Sequence, residues 1–270
     1  TKDLLEHISS ALRTGSLMLA CVDVAIQLAF FALLRSSEYC VNPLDRSGAF
    51  DRESTLLDGD IMLVCRGALL PWDAVPVADH ELVTEVVISI KKSKTDQGRQ
   101  GVTRGVDRCP NAAVCPVEAT LRFVALRLAR GVDFDESMPF MRWGTEHTQH
   151  LRRAAVSSQL KSGAEAMGQP TSDYATHSLR IGGATALLHA GATPDQVRRF
   201  GRWKSDCWQQ YTWNTRGMLA GLSALIARSS YTLEQSTADF LAHRRAAGRP
   251  VNQTAATRAP AASPSADDVM

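Results

Sequence analysis

The sequence predicts an α+β domain that is mainly helical, with a small antiparallel β-sheet on one edge. Most segments space their apolar residues as helices do, whereas residues 61–65 and 83–94 have the pattern of short strands. The hydrophobic fraction of 44% and the charged fraction of 21% are ordinary for a globular protein. No internal repeat is visible, so we expect one domain over residues 1–230 and a C-terminal extension over 231–270.

The first two predicted helices cover residues 2–14, which are amphipathic, and residues 17–38, which are strongly apolar. The run 17–34 is long enough to raise the question of a membrane span. Asp23 and Gln27 interrupt this run, so a helix buried on all sides of a helical domain is the better interpretation.

The predicted sheet follows a loop-like segment at 42–60. A strand at 61–65 precedes the strand at 83–94, in which Val86, Ile88, Ile90, Lys92 and Lys94 share one face at period two. A further strand at 102–106 would complete a hairpin whose tip is crowded with basic residues.

The second half of the chain is predicted to be helical. One helix begins with a clear signal, because Thr193 can act as N-cap, Pro194 occupies the first helical position and Gln196 completes a capping box. The Ala, Pro, Ser and Thr content from about residue 246 predicts a disordered tail. The remaining helices are expected at 116–130, 148–167, 178–191, 206–213 and 217–228.

Bulk composition neither identifies nor excludes a nucleic-acid-binding protein. The net charge is only +2, so a DNA-binding face would require local clustering of basic residues. The six cysteines lack the CxxC pairs of a zinc site, and we expect neither a metal nor a cofactor. Cys21, Cys40 and Cys65 lie in or beside apolar stretches, which predicts buried free thiols.

Two short segments offer basic side chains in ordered surroundings. Arg35 lies at the end of the predicted apolar helix, and Glu38 is three residues further on the same helical face, where it could orient the guanidinium group. Considered alone, this pair is more simply a surface ion pair. The hairpin tip at 91–97 holds three lysines, Lys94 among them, and considered alone it is a solvated turn.

A third segment is richer in candidate residues. His177 and Arg180 are one helical turn apart and face the same way, and Gly182 and Gly183 allow another backbone to pack closely. A Gly-Arg-Trp segment at 201–203 and then Tyr211 follow. A helix-turn-helix DNA reader is the alternative interpretation, since a turn at Gly191 separates two predicted helices.

Together these segments resemble the tyrosine recombinases, the phage integrase-like family. Within that family they are most similar to the recombinases of eukaryotic retroelements and related mobile DNA. The resemblance covers about residues 10–215, and its parts are strong jointly and weak singly. The matched residues, in the family's order, are Arg35, Lys94, His177, Arg180, Trp203 and Tyr211.

The resemblance implies an enzyme that cleaves and rejoins double-stranded DNA. Tyr211 would attack a phosphodiester and form a 3′-phosphotyrosyl bond, which religation resolves without ATP or a metal. Arg35 and Arg180 would bind the non-bridging oxygens through bidentate guanidinium groups. His177 would be the general base or proton shuttle.

The other matched residues would have supporting roles. Lys94 would protonate the departing 5′-oxygen, Trp203 would position the phosphate through its indole N–H, and Glu38 would hold Arg35. The resemblance further implies self-association on DNA as a synaptic tetramer, no membrane, and a nuclear location if the host is a eukaryote.

Two features depart from the family pattern. Trp203 precedes Tyr211 by eight residues, whereas nine is the commoner interval in the family. A separate DNA-clamping domain usually comes before the catalytic one, so we expect this chain to be a fragment or a reduced protein. Two other functions stay open, a type IB topoisomerase and a non-catalytic DNA-binding relic of a mobile element.

Overall fold

The computed structural model describes residues 2–41, 50–92, 101–144 and 149–212, which all belong to one compact unit of the chain. This part is an α+β arrangement with a small antiparallel sheet, as predicted. Lys94, the predicted helix at 217–228 and the tail from 246 lie outside the described residues. The described elements are α1 (Lys2–Leu12), α2 (Leu17–Phe31), α3 (Ser36–Tyr39), β1 (Ile61–Cys65), β2 (Ala68–Pro71), β3 (Val83–Ile90), β4 (Val102–Asp107), α4 (Pro116–Ala129), α5 (Arg153–Ala166), α6 (Thr176–His189) and α7 (Pro194–Phe200).

The sheet is antiparallel throughout, with strand order β2-β1-β3-β4. Along β3, Val86, Ile88 and Ile90 are buried at period two, as the sequence predicted. Strand β2 was not predicted, because its four residues, Ala-Leu-Leu-Pro, do not alternate between apolar and polar side chains. Arg66 and Gly67 connect it to β1 with φ angles of 51° and 78°, the signature of a two-residue type I′ turn.

Helix α2 is the centre of the core, with α1, α4 and α6 packed against it. Its polar residue Asp23 is only 1% exposed and receives a hydrogen bond from Arg122 on α4. Burial raises the pKa of the Asp23 carboxyl group, and the charge of Arg122 opposes that rise. Within the described ranges, no helix combines the length and the apolar character that crossing a bilayer requires.

The prediction that α2 continues to residue 38 was wrong. The helix ends at Phe31, and Leu33 adopts the left-handed conformation with a φ of 50°. The Leu34 N–H then donates to the Ala29 carbonyl at 3.1 Å, which closes the helix as a Schellman-type turn. Arg35 consequently precedes the separate helix α3.

Two other predicted helices also differ from the structure. Helix α5 begins at Arg153 rather than at 148, because His150 forms a bridge with Arg142 and the Leu151 N–H donates to the Met141 carbonyl. The helix expected at 206–213 is a 3-10 helix, Asp206–Tyr211.

A buried ionic network centres on Asp58, which begins a short 3-10 helix just before β1. Asp58 is fully buried and accepts hydrogen bonds from Arg127 at 2.7 and 2.9 Å and from Arg142 at 2.8 Å. The Arg127 guanidinium also stacks 4.5 Å from the ring centroid of Trp72. Each buried charge therefore has a partner, as a low-dielectric interior requires. The thiols of Cys21, Cys40 and Cys65 are free and buried, which confirms that prediction.

Candidate active site

Some of the predicted site residues, Arg35, Glu38 and Arg180, meet at the turn after α2. The Leu33 carbonyl accepts hydrogen bonds from Nη1 of Arg180 on α6 and from Nη2 of Arg202, the latter at 3.3 Å. Arg180 is separated from Leu33 by 147 positions in the sequence. Only tertiary folding can bring these groups together.

Glu38 connects two arginines at the same turn. Its Oε2 accepts from the Arg35 backbone N–H and from Arg202 Nη2, both at 2.8 Å, and its Oε1 accepts from Arg35 Nη1 at 3.3 Å. The Glu38 side chain is 1% exposed and the Arg35 side chain is 19% exposed. Because the carboxylate is buried and shared, it fixes both guanidinium groups relative to the backbone.

The Gly-Arg-Trp segment that follows α7 holds Arg180 from the other side. The Gly201 carbonyl accepts from Arg180 Nη2, and the Arg180 guanidinium lies 4.2 Å from the ring centroid of Trp203. A Cβ atom at Gly201 would overlap the Trp203 ring, so glycine is required there. Trp203 is 7% exposed and packs with Leu33 in a small second core cluster. Trp203 therefore packs against the Arg180 guanidinium group and helps to fix its orientation.

The close approach of α6 to α2 sets the position of Arg180. A Cβ atom built on Gly183 would lie 2.5 Å from Leu33 Cδ2 and still closer to the Phe30 carbonyl oxygen. Gly182 is less constrained, since its Cβ would lie 3.1 Å from a carbon of the Phe30 ring. The structure therefore agrees with the close backbone packing predicted from this glycine pair.

His177 lies one turn before Arg180 on α6 but is far more exposed than that buried arginine. Partial burial lowers the pKa of the His177 imidazole, and the positive charge of Arg180 lowers it further. A neutral imidazole can accept a proton, so this environment suits a base at neutral pH.

The structure describes only the backbone of the predicted nucleophile, Tyr211, and does not describe the predicted general acid, Lys94. Tyr211 ends the 3-10 helix that follows the Gly-Arg-Trp segment, but its side chain is outside the described set. Lys94 belongs to the segment 93–100, which lies outside the described residues. Of the neighbouring lysines, Lys91 bonds to Asp60, and Lys92 lies 3.2 Å from a carboxylate oxygen of Glu53.

The sequence analysis did not select two arginines of this region, Arg104 and Arg202. Arg202 reaches the centre of the site, and the one hint was its place between Gly201 and Trp203. Arg104 on β4 donates to the Arg199 carbonyl at 2.9 Å and stacks 5.3 Å from the ring centroid of Phe200. Burial lowers the pKa of Arg104, and the positive charge of Arg202 lowers it further.

The arrangement is chemically suited to an anion. Three guanidinium groups meet at two acceptors. Arg35 and Arg202 share the Glu38 carboxylate, and Arg180 and Arg202 share the Leu33 carbonyl. Planar guanidinium groups bind tetrahedral oxyanions such as phosphate through paired hydrogen bonds. Over the residues that the structure describes, no group of His, Cys, Asp and Glu side chains could hold a metal ion.

Neither a scan against protein-family models nor a search of curated proteins finds a match for this chain.

Proposed function

We propose that this protein cleaves and rejoins DNA strands through a 3′-phosphotyrosyl intermediate formed by Tyr211, the reaction of the tyrosine recombinases that its sequence resembles. The observation that carries the proposal is the meeting of Arg35 and Arg180 at the turn after α2. Arg202 connects them, because it bonds to the carboxylate that holds Arg35 and to the Leu33 carbonyl that holds Arg180. Double-stranded DNA is the proposed substrate, and self-association on DNA is part of the same proposal.

The two arginines would act on the phosphate during cleavage. In-line attack on a phosphodiester places negative charge on the two non-bridging oxygens in the transition state. Arg35 and Arg180 carry planar guanidinium groups that can donate paired hydrogen bonds, and buried contacts hold both in fixed orientations. Donors arranged in advance around developing charge lower the barrier without reorganising during the reaction.

His177 and Tyr211 would carry the proton and the new bond. A free tyrosine has a pKa of about 10, so the phenol must lose its proton to a base as its oxygen attacks phosphorus. The depressed pKa of His177 leaves the imidazole neutral and ready to accept that proton. The phosphorus–5′-oxygen bond breaks as the phosphotyrosyl bond forms, and Lys94 would protonate the departing 5′-oxygen.

In this scheme Trp203 would have a supporting role. Its ring lies against the Arg180 guanidinium, so it would orient the arginine. Arg202 is the residue that precedes Tyr211 by nine positions, the interval that the resemblance implies. The shorter Trp203–Tyr211 interval is therefore compatible with the proposed reaction.

The test is covalent trapping on nicked duplexes of random sequence, in which the cleaved strand dissociates and prevents religation. The wild-type protein should form an adduct that survives SDS, and Tyr211→Phe should form none because only the nucleophilic oxygen is lost. Tyr174→Phe, a matched change before α6, should form the adduct normally. An adduct with Tyr211→Phe, or none with the wild-type protein, would contradict the proposal. Relaxation of supercoiled DNA without strand exchange would favour a topoisomerase instead.

A further inference from the structure

We infer that Cys109 and Cys115 are a redox-active pair, which closes into a reversible disulfide when a small-molecule disulfide such as oxidised glutathione oxidises it. The two cysteines lie at opposite ends of the connection between the sheet and the helices, two residues after β4 and immediately before α4. The inference does not depend on the proposed function, because it concerns this connection alone and is tested without DNA.

The first support is the contact between the two side chains. The Cys115 Sγ atom accepts a hydrogen bond from the Cys109 backbone N–H at 3.1 Å, and the two thiols are hydrogen-bonded to each other. Both thiols are free. Because the side chains already meet, a disulfide requires only a small further approach of the two sulfur atoms.

The second support is the rigidity of the segment between the cysteines. Each cysteine precedes a proline, which restricts the cysteine backbone to extended conformations. Arg13 donates a hydrogen bond to the Ala112 carbonyl at 2.6 Å. Gln27 on α2 donates to the Ala113 carbonyl at 3.3 Å. The contact between the thiols is therefore held by a backbone that is fixed from both ends and from the core.

The third support is the difference in exposure, which gives the two thiols an order of reaction. Cys109 is partly exposed, whereas Cys115 is 1% exposed. The Cys109 thiolate attacks oxidised glutathione, so that a mixed disulfide forms and one glutathione thiolate leaves. The Cys115 thiolate then attacks the Cys109 sulfur, and the second glutathione thiolate leaves. The two protons lost by the protein thiols pass to these two thiolates, so one disulfide is reduced as the other forms.

The environment of Cys109 makes this exchange slow. Burial, and after it the neighbouring Cys115 thiol, raise the pKa of Cys109 to about 11. The thiolate is the form that attacks a disulfide, so the reaction should be faster in alkaline buffer than at neutral pH. Since β4 is an edge strand of the sheet, the pair acts as a slow clamp that joins this edge to α4.

The test maps the cysteines of the folded protein after treatment with oxidised glutathione in mildly alkaline buffer. Free thiols are then blocked by alkylation, and trypsin releases residues 109–122 as one peptide because Arg108 and Arg122 are the flanking cleavage sites. This peptide should carry no alkyl group and should be lighter than its reduced form by two hydrogen atoms, and dithiothreitol should restore both thiols. Alkylation of both cysteines, or glutathione retained on Cys109, would overturn the inference.

Other cysteines of the chain provide the controls. Cys21 and Cys40 also interact electrostatically with each other, but both are fully buried and should stay reduced. An equal yield of disulfide at this pair would show that oxidation follows unfolding, and would count against the inference. The exposed Cys207 should acquire glutathione, which shows that the oxidant is active. Cys115→Ser should retain glutathione on Cys109, because the thiol that displaces it is missing.

Melting temperatures provide a second, independent measurement. The oxidised wild-type protein should melt a few degrees above the reduced protein, because the disulfide restricts the unfolded chain. Cys109→Ser, which cannot form the bond, should melt at the same temperature in oxidising and reducing buffers. A lower melting temperature for the oxidised wild-type protein would show that the fold opposes the disulfide, contrary to the inference.

Discussion

Replacing Gly183 with alanine should separate α6 from the turn that holds the arginines. The new methyl group would lie 2.5 Å from Leu33 Cδ2 and closer still to the Phe30 carbonyl oxygen. The leucine side chain can rotate away, but the carbonyl belongs to the backbone of α2 and cannot. Overpacking of this kind costs about 1–3 kcal/mol. Alanine returns about 1 kcal/mol of helix propensity, so we expect a net destabilisation of up to about 2 kcal/mol.

Gly182→Ala provides the matched control on the next residue. Its methyl group would meet only a carbon of the Phe30 ring, at 3.1 Å, and a ring can shift by a few tenths of an ångström. The gain in helix propensity should then offset the contact, which leaves the free energy of unfolding within about 1 kcal/mol of the wild-type value.

Urea denaturation followed by far-UV circular dichroism measures both variants. The unfolding midpoint of Gly183→Ala should fall clearly below that of Gly182→Ala, and the rate of DNA adduct formation should fall with it because Arg180 moves with α6. A midpoint for Gly183→Ala at or above that of Gly182→Ala would refute this account of the α2–α6 contact.

Two further predictions concern the buried ionic network and the candidate base. Asp58→Asn should lower the free energy of unfolding by about 3–5 kcal/mol, because Arg127 and Arg142 would lose the carboxylate that neutralises them; a urea midpoint near the wild-type value would argue against this. His177 should titrate below its ordinary pKa of about 6.5 in an NMR titration. In Arg180→Met its pKa should rise, since one of the two causes of the depression is removed, and an unchanged pKa would contradict that assignment.

Elements that depend on local signals could be predicted from the sequence. The apolar run of α2, the short strand β1 and the capping box at the start of α7 each carry their evidence within a few residues. In contrast, the end of α2 depends on Leu33 in a conformation that usually requires glycine. Its side chain is buried in the second core cluster, and this packing is a tertiary effect invisible in the local sequence.

The same distinction applies to the candidate site. Arg35, Glu38 and Arg180 could be selected because each belongs to a segment that resembles a known family. Arg202 could not be selected, since its importance arises from two hydrogen bonds to residues more than 160 positions away. The network around Asp58 was missed for the same reason, because its arginines come from α4 and from the segment before α5.

The Leu33 carbonyl lies just beyond the C-terminus of α2, where the aligned peptide dipoles of the helix produce about half a negative elementary charge. Arg180 and Arg202 both bond to that carbonyl, so the longest apolar helix of the core supplies a permanent field that attracts two of the three guanidinium groups. This field remains when no DNA is bound, and it does not depend on any side chain that could be protonated. Charge substitutions elsewhere on the surface should consequently leave the orientation of these two arginines unchanged, whereas shortening or breaking α2 should release them.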